Sequence, residues 1–564
     1  MPKTTRSEPQ PTTPEFLPKL VSVLREGYGY RDLQADALAG LTVAIVALPL
    51  SMAIAISCGV GPERGLYSAI VGGFLVSALG GSQFQIGGPA GAFIVLVSAC
   101  VAASGLDGLL LATFLSGFML IGAGLLRLGS YIRFIPYPVT VGFTAGIAVI
   151  IFASQMRDFL GLTPGEVEPG ELLDKIPVLW HARASVTLAA CFVSVATMAV
   201  ILATKRWRPH WPGLLLAVVI SSVLVAGFGF QVETIGTRFG GLPATLPRPA
   251  LPAFSGDAVW QALPWAFSFT LLGAIETLLS AVVADGMTGR RHRSNAELVA
   301  QGVANIGASL FGGFCVTGTI ARTATNVRAG SRGPVSGMLH ALFLLGFMML
   351  AAPLAAYIPL AALAGVLVIV AWNMAEKEEL WALIRSNRSD AMVVLVTFAL
   401  VIFRDLTSGI VVGVALGGAV FIRRMSEAAG AEPRETTGRY DPSDASAPEL
   451  VVCHLRGPYF FGAAARLGSV LDRIADTPKG FAVDFTDVPF IDSSGARSFK
   501  LLARNTARKG GRLFFTAANA EVRSVLEGHG LCEPHVTYLP DIAAVEVEMA
   551  AVSKLESPDA SGPR

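Results

Sequence analysis

About fourteen apolar runs follow one another between residues 36 and 424, separated by short polar turns. In lipid every backbone N–H and C=O must be satisfied within the protein, so runs of this length cross a membrane as helices. The runs fall at 36–57, 65–80, 88–103, 107–126, 138–155, 184–204, 212–230, 259–284, 296–312, 318–330, 334–354, 357–374, 389–403 and 406–424. Several are shorter than the ~20 residues of a straight crossing. Composition agrees: 15% of residues are charged, against roughly 25% in soluble domains. Sixty glycines suit the close helix packing of membrane bundles.

Charge placement orients the runs. Basic residues gather in cytoplasmic loops. Arg127 and Arg133, then Lys205, Arg206 and Arg208, then Arg290, Arg291 and Arg293 each follow an even-numbered span. So do Arg328 with Arg332, Arg385 with Arg388, and Arg423 with Arg424. The loop after the fifth span is acidic, with Asp158, Glu166, Glu168, Glu171 and Asp174. Both termini are therefore expected in the cytoplasm. Residues 1–35 read as a tail, whose start MPKTTRSEPQPTTPEFLP is polar and proline-rich with no apolar core for a cleavable signal, and a short amphipathic entry helix. Fourteen spans divide as seven plus seven, and an odd number per half gives the inverted-repeat plan of many secondary transporters.

After Arg424 the composition changes. Residues 425–447 read as a polar linker, 448–553 as a soluble α/β domain and 554–564 as a disordered tail. Within the domain, ELVVCHLRG, GFAVDFTDV and GRLFFTAA read as strands. AAARLGSVLDRIAD, SGARSFKLLARNTARKG and NAEVRSVLEGHG read as helices.

Three features carry chemistry. Glu276 is the sole charged residue between Leu263 and Ala284. A carboxylate at bilayer depth costs a few kcal/mol, so such residues generally serve a pathway or a proton relay. The bland alternative is a neutral carboxyl used for helix packing. Second, GGSQFQIGGPAGAFIVL (80–96) and FGGFCVTGTIARTATNVRAG (311–330) are glycine-broken segments, each the third span of its half. Half-helices should begin near Ala90 and Thr319, with Arg322 about one turn into the second. Two facing helix N-termini and an arginine make an anion site at mid-membrane. The alternative is glycine packing, with Arg322 extending to an interface. Third, FIDSSGARSF places Ser493 and Ser494 at the start of a helix, where plain N-capping accounts for them and phosphorylation is the alternative.

Several readings are excluded. Six scattered cysteines form no metal or disulfide pattern, and a net charge of +2 leaves no nucleic-acid footprint. No HExxH, GxSxG or P-loop stands out, so neither an enzyme, a cofactor nor an ATP-driven pump is expected.

The stretch PLSMAIAISCGVGPERGLYSAIVGG, with QIGGPAGAF, GAIETLLSAVVADGMTG, GTIARTATNVRAG and the soluble domain, resembles the sulfate permease family of anion transporters over about residues 30–550. The resemblance implies a polytopic α-helical protein of fourteen spans, a 7+7 inverted repeat of core and gate, ending in a STAS domain. It also implies a homodimer in the bacterial inner membrane. Its anion pocket would fall on Pro49, Leu50 and Ile54, on Gly88, Pro89 and Ala90, and on Thr319, Ile320, Ala321 and Arg322. Leu50 departs from the polar residue of some animal members. The coupling carboxylate would be Glu276, with Ser280 one turn away. Bicarbonate-transporting members tend to carry Asp there and to use sodium, so Glu points to protons. The eighth to tenth spans look most like the four-carbon dicarboxylate transporters of enteric bacteria, which implies uptake of succinate, fumarate or aspartate. Sulfate and bicarbonate are the rival cargoes. An uncoupled anion channel, or a regulatory protein acting through a partner of the STAS domain, are rival classes.

Overall fold

The computed structural model describes residues 15–132, 135–163, 172–208, 211–404, 406–428, 430–434, 450–460, 480–508 and 510–556. The chain divides after Gly417 into two compact units. The first is helical. Among the described residues eight helices are long and apolar enough to cross a membrane, and Gly213–Phe228 is a shorter apolar one.

Six helices build the region of interest: α1 (Tyr30–Ser57), α2 (Ile94–Leu125), α3 (Gly256–Thr288), α4 (Ser294–Leu310), α5 (Ile320–Arg328) and α6 (Val335–Ala355). Small residues set their spacing. A Cβ on Gly117 of α2 would fall 2.6 Å from the Gly302 carbonyl oxygen of α4, so these backbones lie almost in contact. At α1, a Cβ on Gly40 would lie 2.5 Å from the Ser336 carbonyl oxygen of α6. Buried Asp36 ties the start of α1 to the turn before α6, accepting the Gly333 N–H at 3.1 Å and the Tyr28 hydroxyl at 2.7 Å.

Local breaks interrupt the expected spans. The third and fourth runs both lie in α2, which is two helical stretches joined at Gly105, whose φ of 65° and ψ of −168° are non-helical and open to glycine. The second run is one continuous helical stretch made of Pro62–Tyr67, a π-turn Ser68–Gly72 and Gly73–Leu79. The tenth is reduced to the short α5. Hydropathy counts apolar runs but does not register where the hydrogen-bond ladder stops.

The second unit holds a five-stranded sheet. With two strand stubs in the membrane unit labelled β1 (Gly87–Gly88) and β2 (Thr317–Gly318), its strands are β3 (Gly430–Arg434), β4 (Leu450–Arg456), β5 (Gly480–Asp487), β6 (Arg512–Thr516) and β7 (Thr537–Leu539). The spatial order is β3-β4-β5-β6-β7. β3 is antiparallel to β4, and the other pairs are parallel. Helix α7 (Ser493–Arg508) buries Ala496, Phe499, Leu502 and Ala503, and Phe499 packs edge-on against Phe485 and Phe515. The segment 425–447 read as linker contributes the end of a helix and all of β3. β7 and the helix Ile542–Glu556 were not assigned from sequence. That helix runs three residues into the tail expected at 554–564, and residues 557–564 and the helix expected over AAARLGSVLDRIAD lie outside the described residues.

Candidate anion site

Two short glycine-bearing strands meet inside the helical unit. β1 and β2 pair antiparallel, Gly87 opposite Gly318 and Gly88 opposite Thr317. Each leads into a helix. Ala90 caps a 3-10 turn, Gly91–Phe93, that runs into α2, and Thr319 caps α5. The two broken segments thus bring their helix N-termini to one place, where free N–H groups and the dipole ends favour an anion.

Irregular backbone at this depth survives only where other groups satisfy it. The Thr319 N–H donates to the Ile86 carbonyl at 3.0 Å, and the Ile86 N–H donates to Thr323 Oγ1 at 3.1 Å. Asn305 of α4 accepts the Val316 N–H at 2.9 Å, and the Gln301 side chain donates to the Val316 carbonyl. Thr317 Oγ1 donates to the Gly273 carbonyl of α3 at 3.2 Å. Gln85 Nε2 donates to Thr277 Oγ1 at 2.5 Å. On the far side, Ser68 of the π-turn donates to the Phe314 carbonyl at 2.9 Å and accepts the Phe314 N–H at 2.8 Å. A π-turn at such a place re-aims a helix without ending it.

Arg322 is 2% exposed. Its Nη2 donates to Ser51 Oγ of α1 and to the Pro89 carbonyl, both at 3.2 Å. Nε and Nη1 have no partner among the described residues. A Cβ on Gly88 would fall on Nη1, so only glycine leaves the guanidinium its place. A buried cation with free donors beside two helix N-termini is a receptor for an acceptor-only anion.

The other expected residues lie around it. Pro49 and Leu50 are buried neighbours of Ser51 on α1, with Ile54 one turn on. Thr319 is buried, Ile320 half-buried and Ala321 exposed. Glu276 is buried on α3 and makes no hydrogen bond or ion pair among the described residues. Ser280, one turn on, donates to Thr323 Oγ1 at 3.0 Å, and so links α3 to the residue after Arg322.

Sequence reading missed Ser51, Thr323, Gln301 and Asn305. It also missed Glu297, a fully buried carboxylate on α4 that accepts the Ser82 N–H at 2.8 Å. For Glu297, Gln301 and Asn305, four residues apart on α4, a polar residue recurring once per turn was the available signal.

In the second unit, the N-cap of α7 is Asp492, whose carboxylate accepts the Gly495 N–H at 2.7 Å. Capping by Ser493 or Ser494 is therefore corrected, because the residue before them takes that donor. Both serines are exposed in the first turn, beside Arg497, Lys500, Arg504 and His529, around a cavity of about 570 Å³. Among the described residues no group of His, Cys, Asp and Glu is arranged to hold a metal.

The sequence matches the sulfate permease family model over residues 33–397 and the STAS domain model over 442–539. It is 38% identical to the "Putative sulfate transporter YvdB" of Bacillus subtilis, over 90% of this chain and 95% of that protein. It is 30% identical to the bicarbonate transporter BicA of Synechocystis, over 88% of this chain and 90% of the relative. Murine Solute Carrier 26 family member A9, an anion transporter solved in the inward-facing state, superposes with a TM-score of 0.83 at 18% identity, covering 98% of this chain and 96% of that one. The transmembrane domain of a cyanobacterial BicA superposes at 0.62 with 30% identity, covering 69% and 98%.

Proposed function

The chain belongs to the sulfate permease family and is a multi-pass membrane anion transporter, and from that premise we propose that it takes up a small inorganic oxyanion, with sulfate as first choice, together with a proton carried by Glu276. The observation that carries this reading is the free guanidinium edge of Arg322 between two helix N-termini. The anion accepts from the N–H groups of α5 and of the turn at Gly91–Phe93 and from Arg322. Glu276 makes no hydrogen bond or ion pair among the described residues and lies at bilayer depth, where an ionisable group serves a proton path, so it takes the proton while the anion is carried. Proton and anion charges then offset each other in transit. The remaining residues of the pocket, Pro49, Leu50, Ile54, Gly88, Pro89, Ala90, Thr319, Ile320 and Ala321, supply shape and backbone groups. Alternating access comes from rocking the core against the gate.

Sulfate is favoured by the 38% identical relative named as a sulfate transporter. Bicarbonate is the second reading, favoured by the 30% identity to BicA. The named cargoes of these relatives are inorganic anions, so they do not support the dicarboxylate specificity expected from the eighth to tenth spans. We place the protein in the bacterial inner membrane with both termini cytoplasmic, on the basic loops that follow even spans, and as a homodimer, on the family resemblance. Ser493 and Ser494 become candidate phosphate acceptors, since Arg497 and Lys500 stand beside them and capping no longer explains them. The STAS domain is then the place for a regulatory protein partner.

The test is uptake of labelled sulfate into proteoliposomes, challenged with excess bicarbonate and with excess succinate. Saturable sulfate uptake that succinate leaves unchanged supports the reading. Succinate uptake unaffected by excess sulfate would contradict it.

A further inference from the structure

Ser51 is fully buried on α1, and its hydroxyl oxygen accepts from Arg322 Nη2 at 3.2 Å. A hydroxyl also has a proton to give. Inside a helix, Ser and Thr commonly give it to the carbonyl four residues back. The other Ser and Thr residues of α1 do so. Thr42 donates to the Leu38 carbonyl at 2.8 Å, and Ser57 to the Ala53 carbonyl at 2.9 Å. Ser51 does not. Among the described residues its one side-chain hydrogen bond is to Arg322, and there it is the acceptor. Its proton is therefore unspent in a place closed to bulk water, where polar groups are bonded in the great majority of cases.

Its position is set by close packing. α1 packs against α5, which carries Arg322. The helix Pro62–Tyr67 also touches α1 at this level, where a Cβ on Gly65 would strike the Ser51 carbonyl.

The groups around the guanidinium divide by kind. Its two oxygen neighbours, Ser51 Oγ and the Pro89 carbonyl, both accept from the same nitrogen, Nη2. Those left without a partner are donors: Nε, Nη1 and the Ser51 proton. Ser51 Oγ and Nη1 are separated by little more than one hydrogen bond and the width of the guanidinium. One small anion therefore reaches both.

A site built of donors discriminates by proton count. Sulfate and selenate are dianions whose four oxygens only accept. Hydrogen phosphate has the same shape and charge, but one of its oxygens carries a proton. That proton meets a donor and leaves both unsatisfied, and mismatched hydrogen bonding is rejected far more strongly than a small difference in size.

We propose that Ser51 donates its hydroxyl proton to the bound anion beside Arg322, and so selects oxyanions that carry no proton, sulfate over hydrogen phosphate. This rests on the reading of Arg322 as the anion's contact.

The experiment compares wild type, Ser51→Ala and Ser51→Thr at mildly alkaline pH, where phosphate is chiefly the dianion. Selenate and hydrogen phosphate compete with labelled sulfate for uptake into proteoliposomes. The same three anions are titrated against the melting temperature of the purified protein, which rises when the folded state binds them. In wild type, hydrogen phosphate should need about 10- to 100-fold more than selenate for the same effect. Ser51→Ala should bind sulfate and selenate several-fold more weakly and narrow that ratio about tenfold. Ser51→Thr, which keeps the hydroxyl, should keep the ratio. A wild type that takes hydrogen phosphate as well as selenate overturns the proposal without any variant. So does a Ser51→Ala protein weakened by one common factor for all three anions, since Ser51 then only holds the guanidinium. A wild type that moves no sulfate, yet is stabilised by selenate far more than by hydrogen phosphate, defeats the transport reading and supports the role of Ser51. Stabilisation by neither anion overturns that role.

Discussion

The segments that meet at β1 and β2 share a backbone plan and differ in the side chains they bring. Both run from a glycine-bearing strand through a capping residue into a helix. The first continues as Gly91, Ala92, Phe93 and Ile94, without a charge. The second continues as Ile320, Ala321, Arg322 and Thr323. The dipoles are thus supplied symmetrically, while the full positive charge and the hydroxyl that ties to Ser280 come from one half alone. A symmetric pair of helix ends attracts an anion of any shape. In the proposed site the asymmetric arginine fixes where the anion sits, and it ties α5 to α1 through Ser51. Symmetry makes the site, and the departure from symmetry makes it selective.

The largest effect that should break this comparison is Arg322→Gln. Loss of a charge-assisted contact to the anion predicts about a 10- to 100-fold rise in KM for sulfate uptake. Ala90→Ser, at the matching cap of the first segment, should change it less than about twofold, since no charge is involved. Equal losses at both positions would mean that the dipoles, not the guanidinium, carry binding. Next comes Gly88→Ala. The added methyl displaces Nη1, so uptake should fall about tenfold by the loss of that donor's geometry. Gly91→Ala places its methyl 3.1 Å from the flexible end of Ile151 and should be tolerated. A smaller effect is expected from Ser280→Ala. It removes one neutral hydrogen bond to Thr323, about 0.5–1.5 kcal/mol, and should raise KM by several-fold with little change in melting temperature. The smallest effect on transport should come from Asp492→Ala. It removes the cap of α7 and should destabilise the soluble domain by about 0.5–2 kcal/mol, read by limited proteolysis, with KM unchanged.

The glycine and proline breaks made both half-helix starts legible, because those residues act through local backbone conformation. Arg322 and Glu276 were legible for the opposite reason: a lone charge in an apolar run is costly wherever the chain folds. Ser51 was not legible. A single Ser in an apolar helix carries no local signal, and its role arises only when α1 closes on α5. The gap expected between the third and fourth runs falls on Gly105, whose non-helical backbone divides α2. β3 escaped because its sequence, GAEPR, contains a proline. Proline is tolerated there because β3 is an edge strand. The cap of α7 was misread by one residue, since the serines and Asp492 are all good caps and only geometry chooses among them.

The central claim is that Arg322 holds the anion while Glu276 carries a proton. The most direct test is accumulation of labelled sulfate in proteoliposomes with and without an inward proton gradient, for wild type and Glu276→Gln. The account predicts that the gradient drives accumulation in wild type, and that the variant only equilibrates or exchanges sulfate whatever the gradient. Gradient-driven accumulation that persists in Glu276→Gln, or wild-type uptake indifferent to protons, would contradict it.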